Sequence, residues 1–417
     1  MNNYKLYQFV SAALLVFAVV TAARAGDTPL VTIDYTKHYG SALDEQVTGI
    51  ANDAFGNAFI AINSVNLGAS INGFDGIVRK YDAFGTLLWQ QRKVSASTDG
   101  VTTDKNGNSY IVGSYTAGVW PKQSDYIYLQ SFNSTGDALW TKKFTVPVVA
   151  DRTLLTANAI ANTQDNKFIL ILFEKAYYPY QNRQVFIRKY NVLGGLLWEK
   201  QVIETSSPYA ARPSLATDAN GNIYVAANSV AFQKWNSSLI RLNAQGVATW
   251  AAPLLLTSAN QLTYVHALAA DNDGNFYLTG ITKGSLGGEN KGYDDVFLRK
   301  YGPDGSEQWT RQFGTDRSDY GNGLSLDSVG NSYVVGSTMG QLHRPNLGNY
   351  DAFVQKYNTS GQLVRGRQFG GSEFDIAKVV HVGDDGAVYV GGNTYGNIGG
   401  KAKGKSDVYL RKYGQFK

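Results

Sequence analysis

Almost every part of the stretch 295–336, DVFLRKYGPDGSEQWTRQFGTDRSDYGNGLSLDSVGNSYVVG, recurs along the chain at a spacing of about fifty-six residues, and a period of that size marks a repeat architecture. Three marks define the unit. A lysine–aromatic pair is followed at fixed distance by a glycine and then a tryptophan (Lys300, Tyr301, Gly305, Trp309). Next comes Asp-x-x-Gly-Asn, Asp327 to Asn331, and an aromatic, Tyr333, follows the glycine. The unit reads as short strands separated by tight turns, because aromatic residues favour strands and glycine supplies the turns between them.

Counting the marks gives the number of units. The aromatic after the turn occurs as Phe59, Tyr110, Phe168, Tyr224, Tyr277, Tyr333 and Tyr389. The second landmark occurs as Lys80-Tyr81, Ser131-Phe132, Lys189-Tyr190, Arg241-Leu242, Lys300-Tyr301, Lys356-Tyr357 and Lys412-Tyr413. Both series have seven members, which predicts an all-β, seven-bladed β-propeller of four-stranded antiparallel blades. In the turns, the first Asp accepts a hydrogen bond from the backbone two residues on, and Gly takes the left-handed conformation. In the third copy (NTQDN, 162–166) Asp165 stands where that glycine is expected.

The tryptophan series runs Trp89, Trp140, Trp198, Trp250 and Trp309, then Arg365, and the seventh unit stops after Tyr413. Its missing outer strand is at the other terminus. Aligning Tyr39-Gly40 on Phe313-Gly314 puts Tyr35 at the tryptophan position. The N-terminal strand is therefore expected to complete the last blade and close the ring without an open edge. There is no cysteine, so disulfides, thiolate metal sites and a lipidated cysteine are excluded.

Residues 1–25 read as a signal peptide. Lys5 gives a positive start, Val10–Val20 is an apolar run, and Ala23-Arg24-Ala25 places the cut before Gly26. The run is short for a span of about twenty residues. The expectation is export to the periplasm, cell surface or medium, with residues 26–417 forming a single propeller, a monomer without a transmembrane segment. The formal charge is +5, and basic residues recur at one repeat position without a basic–aromatic cluster, so no nucleic-acid partner is expected.

These repeats resemble the SBBP (seven-bladed beta-propeller repeat) family. The match rests on DAFVQKY (351–357), RQFGG (367–371) and SLDSVGNSYVVGST (325–338). It is strongest in blades 5 to 7. The inner-strand phrase GVTTDKNGNSYIVG (100–113) is also similar to NHL-type propellers. The resemblance implies the fold and export, and it carries over no catalytic residues.

Ligands of propellers are expected on the face of the d–a and b–c connections, since loops vary while the scaffold holds them still. The longest such connections, 145–155, 203–211 and 253–264, precede blades 3, 4 and 5. Trp120, Tyr177, Tyr178 and Tyr180 lie in b–c loops, and Tyr209 and Tyr264 flank inner strands. Flat rings with polar edges suit sugar faces or proline-rich peptides. A second set is read five residues before each turn Asp: Thr48, Asp99, Ala157, Pro213, His266, Asn322 and Lys378. Of these, Asp99, His266, Asn322 and Lys378 would surround the channel mouth, where His266 has the chemistry of an acid or base.

Other chemistry is poorly supported. The four histidines (38, 266, 343, 381) lack metal-ligand spacing, and no cofactor is expected. DNDGN and GDDG lack the ligand series of a calcium loop. The Gly-rich segments 284–292 and 396–404 lack the strand-to-helix context of a phosphate loop. The leading expectation is an exported, non-catalytic scaffold binding a glycan or a protein. The alternatives are a propeller lactonase or lyase acting at the channel mouth and a structural or adhesive component of the envelope.

Overall fold

The computed structural model describes residues 32–416, apart from 66–72, 118–123, 146–152, 178–181, 206–212, 232–233, 251–253 and 257–261. Seven four-stranded sheets form the propeller, and the strands within each are antiparallel. Blade 5 is representative. Its strands a to d are Thr263–Ala270, Phe276–Thr282, Asp295–Tyr301 and Glu307–Phe313. Among the described residues no helix is long and apolar enough to cross a membrane.

Turn chemistry sets the local structure. In the first a–b hairpin Asp53 Oδ1 accepts from Phe55 N and Asn57 N, both at 3.0 Å, and Gly56 sits at φ +76°. The same pattern recurs at Asp104, Asp218, Asp271 and Asp327. The third hairpin differs from the expectation. Asn166, not Asp165, takes the positive φ (57°), and Thr163 replaces the turn acid. The turn is one residue longer, and asparagine tolerates the left-handed region best among the residues available there.

The repeated residues are fasteners between blades. Trp89, Trp140 and Trp309 each donate from the indole to a carbonyl in the c–d hairpin of the next blade, at 3.1 Å (Ser134, Val192 and Thr359). The glycine of that hairpin sits against the ring: a Cβ on Gly361 would lie 2.8 Å from Trp309. Its positive φ of 75° gives a second reason for glycine. The repeated lysines lie over the strand-b aromatics, as Lys189 does over Phe168 at 4.2 Å. Lys189 Nζ then reaches Ala244 O in the next blade at 2.8 Å. Tyr224 OH bonds Gly274 O at 2.9 Å, again one blade on. The cationic repeat position is therefore spent inside the scaffold.

Ring closure follows the expected register. Strand d of blade 7 is Thr32–Tyr39, paired antiparallel with strand c, Asp407–Gln415. Tyr35 faces Lys412, as Trp309 faces Lys300 in blade 5. The seam to blade 1 carries Lys412 Nζ to Ala83 O at 2.9 Å and Tyr389 OH to Gly56 O at 3.0 Å. Tyr35 and Tyr39 pack on the apolar cluster that includes Val47, Ile60, Tyr81 and Leu410.

Blades 3 and 4 depart from the repeat in structure as in sequence. In blade 3 all four strands lengthen: strand a begins at Thr153 and strand d runs to Thr205. Part of what reads as long loop is thus strand. In blade 4 the strand d of the described residues is Leu254–Leu256, and Trp250 is not part of it, although its ring still packs on Phe276 at 5.4 Å.

Buried carboxylates line the junctions of blades 5 to 7. At the 5/6 junction Asp295 and Asp319 are fully buried on either side of Gly314. Asp295 Oδ1 and Asp319 Oδ1 each have no hydrogen-bond partner among the described residues. Burial, and then the Asp295 charge, push the Asp319 carboxyl above its usual range. A raised folded value means that its stabilisation is complete below the unfolded value and is lost as pH rises through the folded one. Asp319→Asn, which keeps the shape and offers an N–H to Asp295, is expected to raise stability at neutral pH by on the order of 1 kcal/mol. Thermal melts at several pH values check this: the gain over wild type should grow from pH 4 to pH 8. A loss of stability at pH 8 would refute it.

Candidate functional site

The channel mouth on the d–a and b–c face is organised by a repeated β-bulge. In strand a an extra residue interrupts the pairing with strand b at Thr48, Asn158, His266, Asn322 and Lys378. A bulge bends the strand and re-aims the extra side chain. Four of these residues are among those read five positions before the turn. Blade 3 differs: Asn158 is the bulged residue, while Ala157 is fully buried in the core. The longer hairpin at Thr163–Phe168 displaces the count by one residue, and a one-residue shift exchanges the two faces of a strand.

Three bulge side chains tie each blade to its successor. Thr48 Oγ1 donates to Thr98 O at 2.6 Å, His266 Nδ1 to Gly321 O at 2.8 Å, and Asn322 Nδ2 to Ala377 O at 2.9 Å. Each acceptor immediately precedes the rim residue of the next blade. Asp99 reaches blade 3 less directly. Its Oδ2 accepts from Ser97 Oγ at 2.9 Å and Ser114 Oγ at 2.8 Å, and Ser114 Oγ accepts from Ala157 N. Because a carbonyl only accepts, His266 holds its Nδ1 proton and leaves Nε2 as an acceptor. Burial pushes this imidazole below its usual range, opposed by the bond to Gly321. The neutral ring is the resting form near pH 7.

The rim encloses a cavity of about 940 Å³. Thr48, Asp99, His266, Asn322 and Lys378 all line it. Two residues further along each strand a stands an apolar ring that includes Ile50, Ile160, Leu268, Leu324 and Val380. These line a second cavity of about 660 Å³ at the a–b end, which shares no lining residue with the first. The mouth is therefore a cup, with the apolar ring lining the separate cavity at the a–b end. Among the described residues no group of three or more His, Asp or Glu is placed to hold a metal ion.

The cup has an aromatic wall built by blades 6 and 7. Tyr320 and Tyr350 have ring centroids 5.9 Å apart, Tyr350 and Phe374 stack at 5.6 Å, and Phe374 meets Tyr395 at 5.6 Å. Tyr320, Tyr350 and Phe374 line the cavity, and Phe374 and Tyr395 are the exposed members of the series. The opposite wall is polar. It includes Ser114, Thr116 and Asp125, with Thr116 Oγ1 donating to Asp125 Oδ1 at 2.7 Å, and Tyr115, stacked on Tyr126 at 5.1 Å.

Of the aromatic residues singled out from sequence, Trp120, Tyr178, Tyr180 and Tyr209 lie outside the described residues. Tyr177 is the last residue of strand b in blade 3, and only its backbone is described. The ring of Tyr264 lies near that of His266, 6.4 Å between centroids. Tyr320, Tyr350 and Phe374 escape a reading guided by the length of the d–a connections, since those before blades 6 and 7 are short. The signal available was an aromatic beside the strand-initial Asp, in NYD, EFD and SDY.

The beta-propeller repeat model of the SBBP family matches residues 308–342, and the chain carries that repeat within a seven-bladed ring. The matched segment runs from strand d of blade 5 through strand b of blade 6, so the sequence unit straddles two blades. No curated protein matches the chain in sequence. Among solved structures, a polysaccharide lyase of family PL25, an ulvan lyase bound to -[GlcA(1-4)Rha3S]-, is similar at TM-score 0.54 and 8% identity, covering 91% of this chain and 96% of that one. YCF48 bound to D1 peptide is similar at TM-score 0.46 and 11% identity, over 93% and 98%. The propeller domain of the Trilobed protease from Pyrococcus furiosus is similar at TM-score 0.43 and 10% identity, over 73% and 77%. These likenesses are of fold.

Proposed function

We propose that this chain is an exported binding protein whose cup takes a glycan. The observation that carries the reading is the aromatic wall Tyr320–Tyr350–Phe374 facing the hydroxyl and carboxylate groups of Ser114, Thr116 and Asp125 across one cavity. Sugar rings offer apolar faces for stacking and hydroxyl edges for hydrogen bonds, which this pairing of walls suits. The cup volume lies within the usual range of small-ligand sites, about 300–1,000 Å³. His266 Nδ1 and Asn322 Nδ2 are taken up in joining neighbouring blades, so these two atoms serve the scaffold. The ulvan lyase carries its oligosaccharide on the same fold, and that likeness alone supplies no substrate here. Export rests on the signal-peptide features of residues 1–25.

A glycan array followed by titration of the bound species tests the reading. Tyr350→Ala combined with Phe374→Ala is expected to weaken binding at least about tenfold, since each lost stacking contact is worth about 0.5–1.5 kcal/mol beyond its buried area. Melting of the single variant Phe374→Ala should change little, because Phe374 is exposed, and its affinity separates lost binding from lost packing of the half-buried Tyr350. Unchanged affinity in the double variant, or an array without hits, overturns the assignment.

A further inference from the structure

The row of rings that walls the cup continues past its edge. Tyr320, Tyr350 and Phe374 line the cavity, but the next ring, Tyr395, does not; it lies 5.6 Å from Phe374 and is 45% exposed. The backbone holds Tyr395 in place, its N–H donating to Phe374 O at 2.9 Å. The same tie recurs one residue after strand b in blades 5 and 6, where Lys283 N donates to Leu262 O and Met339 N to Ser318 O. Only main-chain atoms make this tie, so the scaffold sets no side chain at the slot.

Nor does the repeat call for rings in the neighbouring slots. Where Phe374 stands, just before strand a, blades 6 and 1 hold Ser318 and Asp44. Where Tyr350 stands, just before strand c, blades 5 and 7 hold Asp294 and Ser406. The aromatics thus occupy positions at which the same scaffold takes charged and small polar residues, in blades that keep the repeat well elsewhere. Core packing does not explain them, since Phe374 is 37% exposed and Tyr395 more so. Single exposed apolar residues need no explanation, but a contiguous exposed series continuous with a cavity marks a binding surface. A carboxylate side chain flanks the outer ring. Glu373 is exposed, and a Cβ on Gly396, the residue after Tyr395, would stand 3.6 Å from its Cβ. Inside the mouth Asp294 has the same relation to Tyr320, whose hydroxyl donates to Asp294 Oδ2 at 3.3 Å. A flat ring beside an acceptor offers a sugar one face to stack on and a partner for its hydroxyls.

We propose that the ligand is a linear oligosaccharide longer than the cup, which leaves the mouth over blade 7 and rests an outer sugar on Tyr395 beside Glu373. A monosaccharide or a compact ligand would fill the cup and leave this outer pair unused. The assignment rests on the glycan reading of the cup, and the experiment below separates the failure of one from the failure of the other.

Isothermal titration tests it, with size-graded ladders of cellulose, chitin and alginate oligosaccharides from disaccharide to hexasaccharide. For a ladder that binds, affinity is expected to rise with length by about three- to tenfold, the worth of one more stacking contact, and then to level off. Tyr395→Met puts the blade 6 residue into the same slot, so the fold is kept. It should abolish the rise while the shortest member that binds keeps its wild-type affinity and the melting temperature stays the same. Glu373→Ala should reduce the rise in the same length-dependent way. Affinity that does not depend on length, or a rise that both variants retain, overturns the extension and leaves the cup reading standing. A loss by the same factor at every length also overturns it, since Tyr395 then acts only by holding Phe374. Failure of every ladder to bind overturns both readings.

Discussion

A chain lacking Thr32–Tyr39 is expected to lose its cooperative melt, or to melt at least about 10 °C lower, and to become protease-sensitive. The deletion removes the outer strand of blade 7 and exposes the full edge of Asp407–Gln415, a template for pairing with other chains. It also uncovers the faces of Val408 and Leu410 that Tyr35 and Tyr39 cover. Burying each such ring contributes about 1.5–3 kcal/mol, so the loss is about 5 kcal/mol once the strand pairing is counted. No disulfide holds the termini, since the chain has no cysteine. Differential scanning calorimetry and limited proteolysis check the outcome. A synthetic peptide spanning 26–40 should restore part of the melting temperature. Coincident melts of the shortened and intact chains would refute closure by this strand as the source of stability.

Gly336→Ala is expected to destabilise the propeller by about 3 kcal/mol or more, the upper range for forcing extra volume into a packed site. The cause is the bulge at Asn322. It brings the carbonyl of Tyr320 against strand b, so that a Cβ at position 336 would lie inside the contact radius of that oxygen and 2.7 Å from Phe353 Cζ. A backbone carbonyl cannot turn aside as a flexible side chain can. Gly113, Gly280 and Gly392 face the carbonyls of Ser97, Tyr264 and Ile376 in the same way. The glycine ending the repeated aromatic-x-x-Gly phrase is therefore the counterpart of the rim. Gly371→Ala is the control: its Cβ would meet only Asp375 Oδ2, at 3.8 Å, and its melt should match wild type. Urea denaturation of the two variants measures the contrast, and an unperturbed Gly336→Ala would remove the bulge as its explanation.

The candidate site was legible only in part. Counting back from the turn Asp placed Asp99, His266, Asn322 and Lys378 around one mouth, because the inner strands start level and share a turn. The same count failed in blade 3, where the hairpin gains a residue and Asn158 replaces Ala157. The roles of His266 and Asn322 as ties between blades were not legible, since their acceptors are backbone carbonyls fifty-five residues away. The aromatic wall was missed for a related reason. Tyr320, Tyr350 and Phe374 are ordinary strand-end residues in sequence, and only the closing of blade 6 against blade 7 stacks them.

What the amino-acid sequence determined by itself was the number of blades, the chemistry of each turn and the pairing of the first strand with the last. Those follow from short-range needs, a positive φ, an acceptor two residues away and a two-residue strand period, repeated often enough to be counted. The tertiary structure alone decided which side chains share a cavity and how Asp295 comes to sit buried beside Asp319. These depend on how one blade meets the next, and that contact is set by packing between residues about fifty positions apart, on which no local rule acts.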